Sequence, residues 1–227
     1  MNKVKKVSLG FILIILGCSS QKENEFQFYP NLNDTSLHKK QLLNFRRSLY
    51  GYFDLPDITV GTSDSLEIRI WPNHAFDITK NVLIFKLGNG TASGHHYNSF
   101  MLPITNADGN VFTLTDLTGL GDSVFVVKKI VPYCGWKLFR DSINYFSLLQ
   151  LPTQGDIKNF KIKPVLDGYG YDFEIATPHS YRYISYWLPQ IYDYKECQKI
   201  VGLVEMLKRQ LGDNFSWPLN KKVPTKN

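Results

Sequence analysis

The feature that most constrains this chain is an apolar run too short to span a bilayer. Val7-Ser8-Leu9-Gly10-Phe11-Ile12-Leu13-Ile14-Ile15-Leu16 is about ten residues long and follows the basic stretch Met1-Asn2-Lys3-Val4-Lys5-Lys6. A membrane-crossing helix needs about 20 apolar residues. A basic head before a short apolar core is the layout of an export leader that is later removed. No later stretch is long and apolar enough to take its place, so the rest of the chain must bury its apolar residues in a folded core of its own.

At the end of that run, Ile15-Leu16-Gly17-Cys18 resembles a lipobox, the site at which bacterial lipoproteins are acylated and cut. A branched aliphatic residue stands three before the cysteine and a small residue just before it. The resemblance implies a diacylglyceryl group on the Cys18 thiol, cleavage before Cys18, and acylation of the amine so freed. Leu16 is bulkier than the residue usual at its position. Each buried methylene contributes roughly 0.8 kcal/mol and stable attachment takes more than one chain, so two or three acyl chains hold a protein to a membrane without a spanning helix. Ser19 rather than Asp after the cysteine implies the outer membrane. Ser20-Gln21-Lys22-Glu23-Asn24-Glu25 loosely resembles a surface-export tag of the Bacteroidota, and reads equally as a solvated linker. The expected organisation is therefore a leader over 1–17, a flexible tether over 18–35, one globular domain over 36–220 and a polar, frayed tail over 221–227.

Charge narrows the partners. Lys3, Lys5 and Lys6 leave with the leader, so 23 of the 26 basic residues face 20 acidic ones, a formal net of +3. Nothing resembles the concentrated basic patch that nucleic-acid binding needs. The expected partners are a membrane, through Cys18, and a protein or a glycan. Of the three cysteines, Cys134 and Cys197 remain within the domain. An exported pair can bridge or stay as two thiols acting as small core residues.

Periodicity predicts α+β architecture with a mainly antiparallel sheet. A first helix is expected from Ser36 to Tyr50, with Leu42, Phe45, Leu49 and Tyr50 on one face and Lys39, Lys40, Arg46 and Arg47 wet. Leu66 to Trp71 alternates with period two, and further strands are expected at Val82 to Leu87, His95 to Leu102, Val111 to Thr115 and Val124 to Val131. Asn106-Ala107-Asp108-Gly109-Asn110 reads as a hairpin loop. Lys137 to Leu149 reads as an amphipathic helix, and Tyr169 to Ala176 and Tyr181 to Trp187 as strands flanking Pro178-His179-Ser180. A last helix opens on a capping box of Asp193 and Glu196. It carries an apolar face of Cys197, Ile200, Val201, Val204, Leu207 and Leu211, and stops at Gly212. Strands in succession joined by turns argue for antiparallel pairing.

Signatures of catalysis are weak, and neither an enzyme nor a cofactor is expected. Gly88-Asn89-Gly90 and Gly119-Leu120-Gly121 lack the followers of a phosphate-binding loop. His95-His96 is the nearest approach to a metal pair, yet neighbours on a strand point to opposite faces. Glu174 and His179 could couple across the Pro178 turn, although Tyr171, Phe173 and Ile175 then leave Asp172 and Glu174 on a face expected to be solvated. The aromatic density from Tyr169 to Tyr194 reads as a tyrosine-rich core. Its alternative is an exposed platform of Trp71, Tyr183 and Trp187 for a glycan or a protein.

Short motifs add a resemblance. Gly135-Trp136-Lys137-Leu138-Phe139-Arg140-Asp141-Ser142, Leu151-Pro152, Asp167-Gly168, Tyr171 through Glu174, Tyr181-Arg182 and Tyr186 to Pro189, with Glu67-Ile68-Arg69-Ile70-Trp71, look like a family of uncharacterised small lipoproteins of the Bacteroidota. The resemblance covers most of the chain after Glu67. It implies the envelope as the compartment and brings no catalytic residue.

Overall fold

The centre of the fold is β2 (Leu66–His74), whose period-two alternation holds in a computed structural model describing residues 27–29, 37–74, 81–88, 90–99, 104–105, 111–112, 125–165 and 168–212. Around β2 stand β3 (Asn81–Leu87), β4 (Ala92–Ser99), β7 (Phe125–Ile130), β8 (Tyr169–Thr177) and β9 (Ser180–Trp187), all paired antiparallel. A short β1 (Gln27–Tyr29) adds to β9 in parallel, giving the order β1-β9-β8-β2-β3-β4-β7. A separate ribbon pairs β5 (Ile104–Thr105) with β6 (Val111–Phe112). Among the described residues, three α-helices pack with the sheet: α1 (Leu37–Tyr52), α2 (Gly135–Tyr145) and α3 (Lys195–Leu211). The α+β class is as expected.

Across its central strands the sheet is covered on both faces, while β7 at one edge is largely exposed. Ile68, Ile70, Leu83, Phe85, Phe173 and Ile184 pack against Phe139 and Ile143 of α2 and Ile200, Leu203, Val204 and Leu207 of α3. The other face sets Trp71, Val82, Ile84, Ala176 and Tyr181 against Leu49 and Tyr50 of α1, with Phe53 and Ile58 beyond its end. Full burial of each large apolar side chain contributes roughly 1.5–3 kcal/mol, so three layers cooperate. One end of the sheet, the hairpin end, gathers the start of β2, the β3–β4 turn and the β8–β9 turn at Pro178-His179. The opposite end carries Asn73 and Trp187, which flank Gly170 in the ladder.

Several elements depart from their expected bounds. β1 falls inside the stretch expected to be a free tether, because the outer edge of β9 offers it backbone partners at Ser180, Tyr181 and Arg182. The first helix runs on to Tyr52, and Arg46, expected wet, is buried. The helix expected over 137–149 is α2 followed by a separate 3₁₀ turn at Leu148–Gln150; Ser147, at φ 56°, breaks the two apart. The capping box does not form. α3 starts two residues after Asp193, with Tyr194 in extended conformation at its N-cap and no side-chain cap. Tyr194 instead donates from its hydroxyl to Asn159 O (2.9 Å) and accepts from Lys161 N (3.3 Å), so a tertiary tie places the helix start. Gly212 closes α3 as expected, at φ 72°, a conformation open to glycine at little cost.

Cys134 and Cys197 are free thiols, not a bridge. The Cys134 N–H donates to Gln210 Oε1 near the far end of α3, whereas Cys197 lies in its first turn. Thirteen residues of helix span about 20 Å, and a disulfide needs Cα atoms within about 7 Å. Cys18, the leader, the loop at 106–110 and the tail from Lys221 lie outside the described residues.

His95 and His96 take opposite faces of β4, and His96 is buried beside Leu83 and Lys128 of the neighbouring strands. Burial first, and the Lys128 charge second, push the His96 pKa down to about 4 from 6.5. Between those values the unfolded chain binds a proton that the folded chain refuses. The contribution of neutral His96 is therefore whole above pH 6.5 and drains away as pH falls toward 4. A His96→Gln variant is expected to lose this part of the acid sensitivity, on the order of 2–3 kcal/mol across that window. Urea unfolding at pH 7 and pH 5 measures it; an unchanged pH difference in the variant would refute the assignment.

Candidate functional site

Among the described residues, the densest polar chemistry lies between α1 and the sheet. Alternation on β8 sends Asp172 and Glu174 toward α1, and alternation on β2 sends Glu67, Arg69, Trp71 and Asn73 the same way. The antiparallel register sets Arg69 opposite Glu174 and Trp71 opposite Asp172. Arg46, Leu49 and Tyr50 share one stripe of α1, so Arg46 enters the interface with its apolar neighbours.

These groups satisfy one another. Glu174, with 0% exposure, accepts from Trp71 Nε1 at 2.6 Å on one oxygen, and from Tyr181 at 2.8 Å and Tyr50 on the other. Asp172 accepts from Arg46 and Asn73. The Arg46 guanidinium lies 5.0 Å from the Trp71 ring centroid and 5.6 Å from that of Tyr183. Arg69 pairs with Glu67 at 2.8 Å, donates to Pro56 O at 2.7 Å and stacks 4.7 Å from Tyr50. Lys86 reaches Glu67 from the margin at 3.5 Å. Burial would lower the Arg46 pKa, but Asp172, Tyr183 and Glu174 outweigh it and keep the guanidinium charged. Burial and then Glu174 push Tyr50 well above the ordinary phenol range, as they do Tyr181. Arg46 Nε and Arg69 Nη1 are left without hydrogen-bond partners.

A carboxylate gripped by two phenols and an indole has the ingredients of acid–base chemistry, but α1 seals it from solvent. The face expected to be solvated is thus the inside of a second core. Glu174 and His179 do not meet: His179 is exposed in the β8–β9 turn, its N–H donating to Thr177 Oγ1 at 3.2 Å. The aromatic platform is not assembled either. Trp71 is 2% exposed and Tyr183 is half-buried beside Arg46; only Trp187, at 38%, is open, and it lies over Gly170 at the opposite end of the sheet. Among the described residues, no group of three or more His, Cys, Asp or Glu is placed to hold a metal.

Among the described residues, at least two shallow depressions reach the surface. One of about 430 Å³ lies at the hairpin end among Leu66, Leu149, Ile175 and Arg182. Another of about 510 Å³ lies at the opposite end between Lys161–Lys163 and Tyr192–Tyr194. Its strap is fixed by Lys163 N donating to the Tyr192 hydroxyl (3.1 Å) and Lys163 Nζ to Ile191 O (2.5 Å), leaving Ile162 82% exposed.

The sequence reading missed the Arg46–Asp172 and Glu174 cluster. Its signal was present: β2 and β8 each carry charged residues on the face opposite their apolar one, and Arg46 stands three and four residues before Leu49 and Tyr50. Compared with models of protein families, with curated proteins and with solved structures, the chain matches none.

Replacing Glu174 with Gln exchanges one acceptor oxygen for an amide that faces a buried donor. The expected loss is about 2–4 kcal/mol of stability from the unsatisfied groups. Chemical denaturation reads it out, and a loss below about 0.5 kcal/mol, the usual size of a surface substitution, would show that the cluster is loosely held.

Proposed function

We propose that the chain is a lipid-anchored lipoprotein of the bacterial outer membrane whose domain has no catalytic role and binds a protein partner. The observation that carries the anchoring is Ile15-Leu16-Gly17-Cys18 at the end of an apolar run too short to span a bilayer. No helix among the described residues is long and apolar enough to cross a membrane. A binding role is supported by where the polar chemistry lies. The carboxylates best supplied with donors are sealed beneath α1, while a shallow, lysine-flanked groove with Ile162 on its strap faces solvent. Exposed apolar side chains on a fixed backbone beside tyrosines suit protein contact.

Metabolic labelling with a fatty-acid analogue tests the anchor: wild type is expected to take up label and Cys18→Ala to take up none. Protease added to intact cells then reports whether the domain faces outward. Unlabelled wild type would end the anchoring reading. For the partner, a photo-crosslinking residue in place of Ile162 is expected to give one discrete protein adduct in cells. Its absence there and at Trp187 would count against a partner at that end.

A further inference from the structure

The place where the chain enters the sheet determines which way the domain faces. β1 begins at Gln27 opposite Ser180, at the hairpin end, and runs parallel to β9 away from it. Only residues 19–26 separate Cys18 from that point. Eight residues span at most about 3.6 Å × 8, or about 29 Å, even fully extended. A lipid on Cys18 therefore holds the hairpin end close to the headgroups.

That end carries an uncovered amphipathic surface. Ile130 pairs with Gly94 near it, and the chain then turns through Val131 and Tyr133 into α2. Val131, Tyr133 and Leu138 are all exposed, Tyr133 to 76%, within eight consecutive residues, and Lys137 and Arg140 beside them are exposed too. Arg140 also reaches back to Gly88 O at 3.0 Å, which places the first turns of α2 at this end of the sheet. The segment is rigidly presented: Tyr133 N donates to Gln210 O at 2.9 Å, Cys134 N to Gln210 Oε1 at 2.8 Å, and Gly135 N to Pro132 O at 2.9 Å. Tyrosine and aliphatic side chains with cations at their margin are the composition of an interfacial membrane contact.

We propose that the domain stands on the membrane by its hairpin end, with Val131, Tyr133 and Leu138 lodged among lipid headgroups and Lys137 and Arg140 facing lipid phosphates. The proposal rests on acylation of Cys18. It leaves the opposite end, with Ile162 and Trp187, pointing away from the bilayer toward a partner.

The test uses full-length acylated protein purified from cells and reconstituted into phosphatidylethanolamine–phosphatidylglycerol vesicles, with and without brominated acyl chains. Leu138→Trp and Ile162→Trp each add a reporter to one end. The emission added at position 138 is expected to fall by roughly half in brominated vesicles, and that at 162 to stay unchanged. Tyr133→Trp repeats the measurement should Leu138→Trp unfold. Equal quenching at both ends, or stronger quenching at 162, overturns the proposal. So does a position-138 signal that ignores bromine but shifts with protein concentration, since a second copy then covers this face. Intact mass separates the failures: protein without acyl chains overturns the anchoring reading together with this one, whereas acylated protein without the difference overturns this one alone.

Discussion

Everything on the α1 side of the sheet depends on the closure of Asp172 and Glu174 by α1. Two neighbouring carboxylates in the middle of a strand would leave that face open to water unless cations and donors met them. Arg46, Asn73, Tyr50, Tyr181 and Trp71 do so. With the charges met, Leu49, Phe53 and Ile58 can close over the same face as an apolar core. The three-layer arrangement follows, because a face that is polar in sequence becomes an interior.

A buried ionic cluster of this kind is weak evidence for stability, since apolar residues of similar volume often hold as well. What it supplies is direction. The Arg46–Asp172 pair and the Tyr50–Glu174 bond lie about one helical turn apart on α1, and the two acceptors are alternate residues of β8. A slip of α1 by a turn would break both the Arg46–Asp172 pair and the Tyr50–Glu174 bond. The cluster is thus better understood as a register lock for the helix that follows β1 than as a reservoir of binding energy or chemistry.

The sheet has two unlike ends. The hairpin end receives the N-terminal strand and shows Val131, Tyr133 and Leu138; the opposite end shows Trp187 and a strap tied down by Tyr192 and Tyr194. These exposed apolar side chains therefore fall on two surfaces at opposite ends of the strands. β2, β3, β4, β7, β8 and β9 run from one end toward the other, so the polarity of the domain comes from the turns and straps added to the sheet.

Local pattern was enough to determine much of this protein. Period-two alternation located β2, an apolar run closed by Gly88-Asn89-Gly90 located β3, aromatic-rich segments about the Pro178 turn located β8 and β9, and period 3.6 with Gly212 located α3, because hydrophobic spacing and turn signals are written in consecutive residues. The same spacing correctly separated Tyr171, Phe173 and Ile175 from Asp172 and Glu174. Only the tertiary structure decided what covers each side. Periodicity says which residues share a face and is silent on which element, distant in sequence, will lie against it. For that reason Arg46 looked like a wet helix residue, Trp71 remained a candidate for an exposed aromatic platform and residues 27–29 looked like tether. The start of α3 likewise belongs to Tyr194 and its partners at 159 and 161 rather than to Asp193, since a local cap yields where a long-range hydrogen bond holds the chain more firmly.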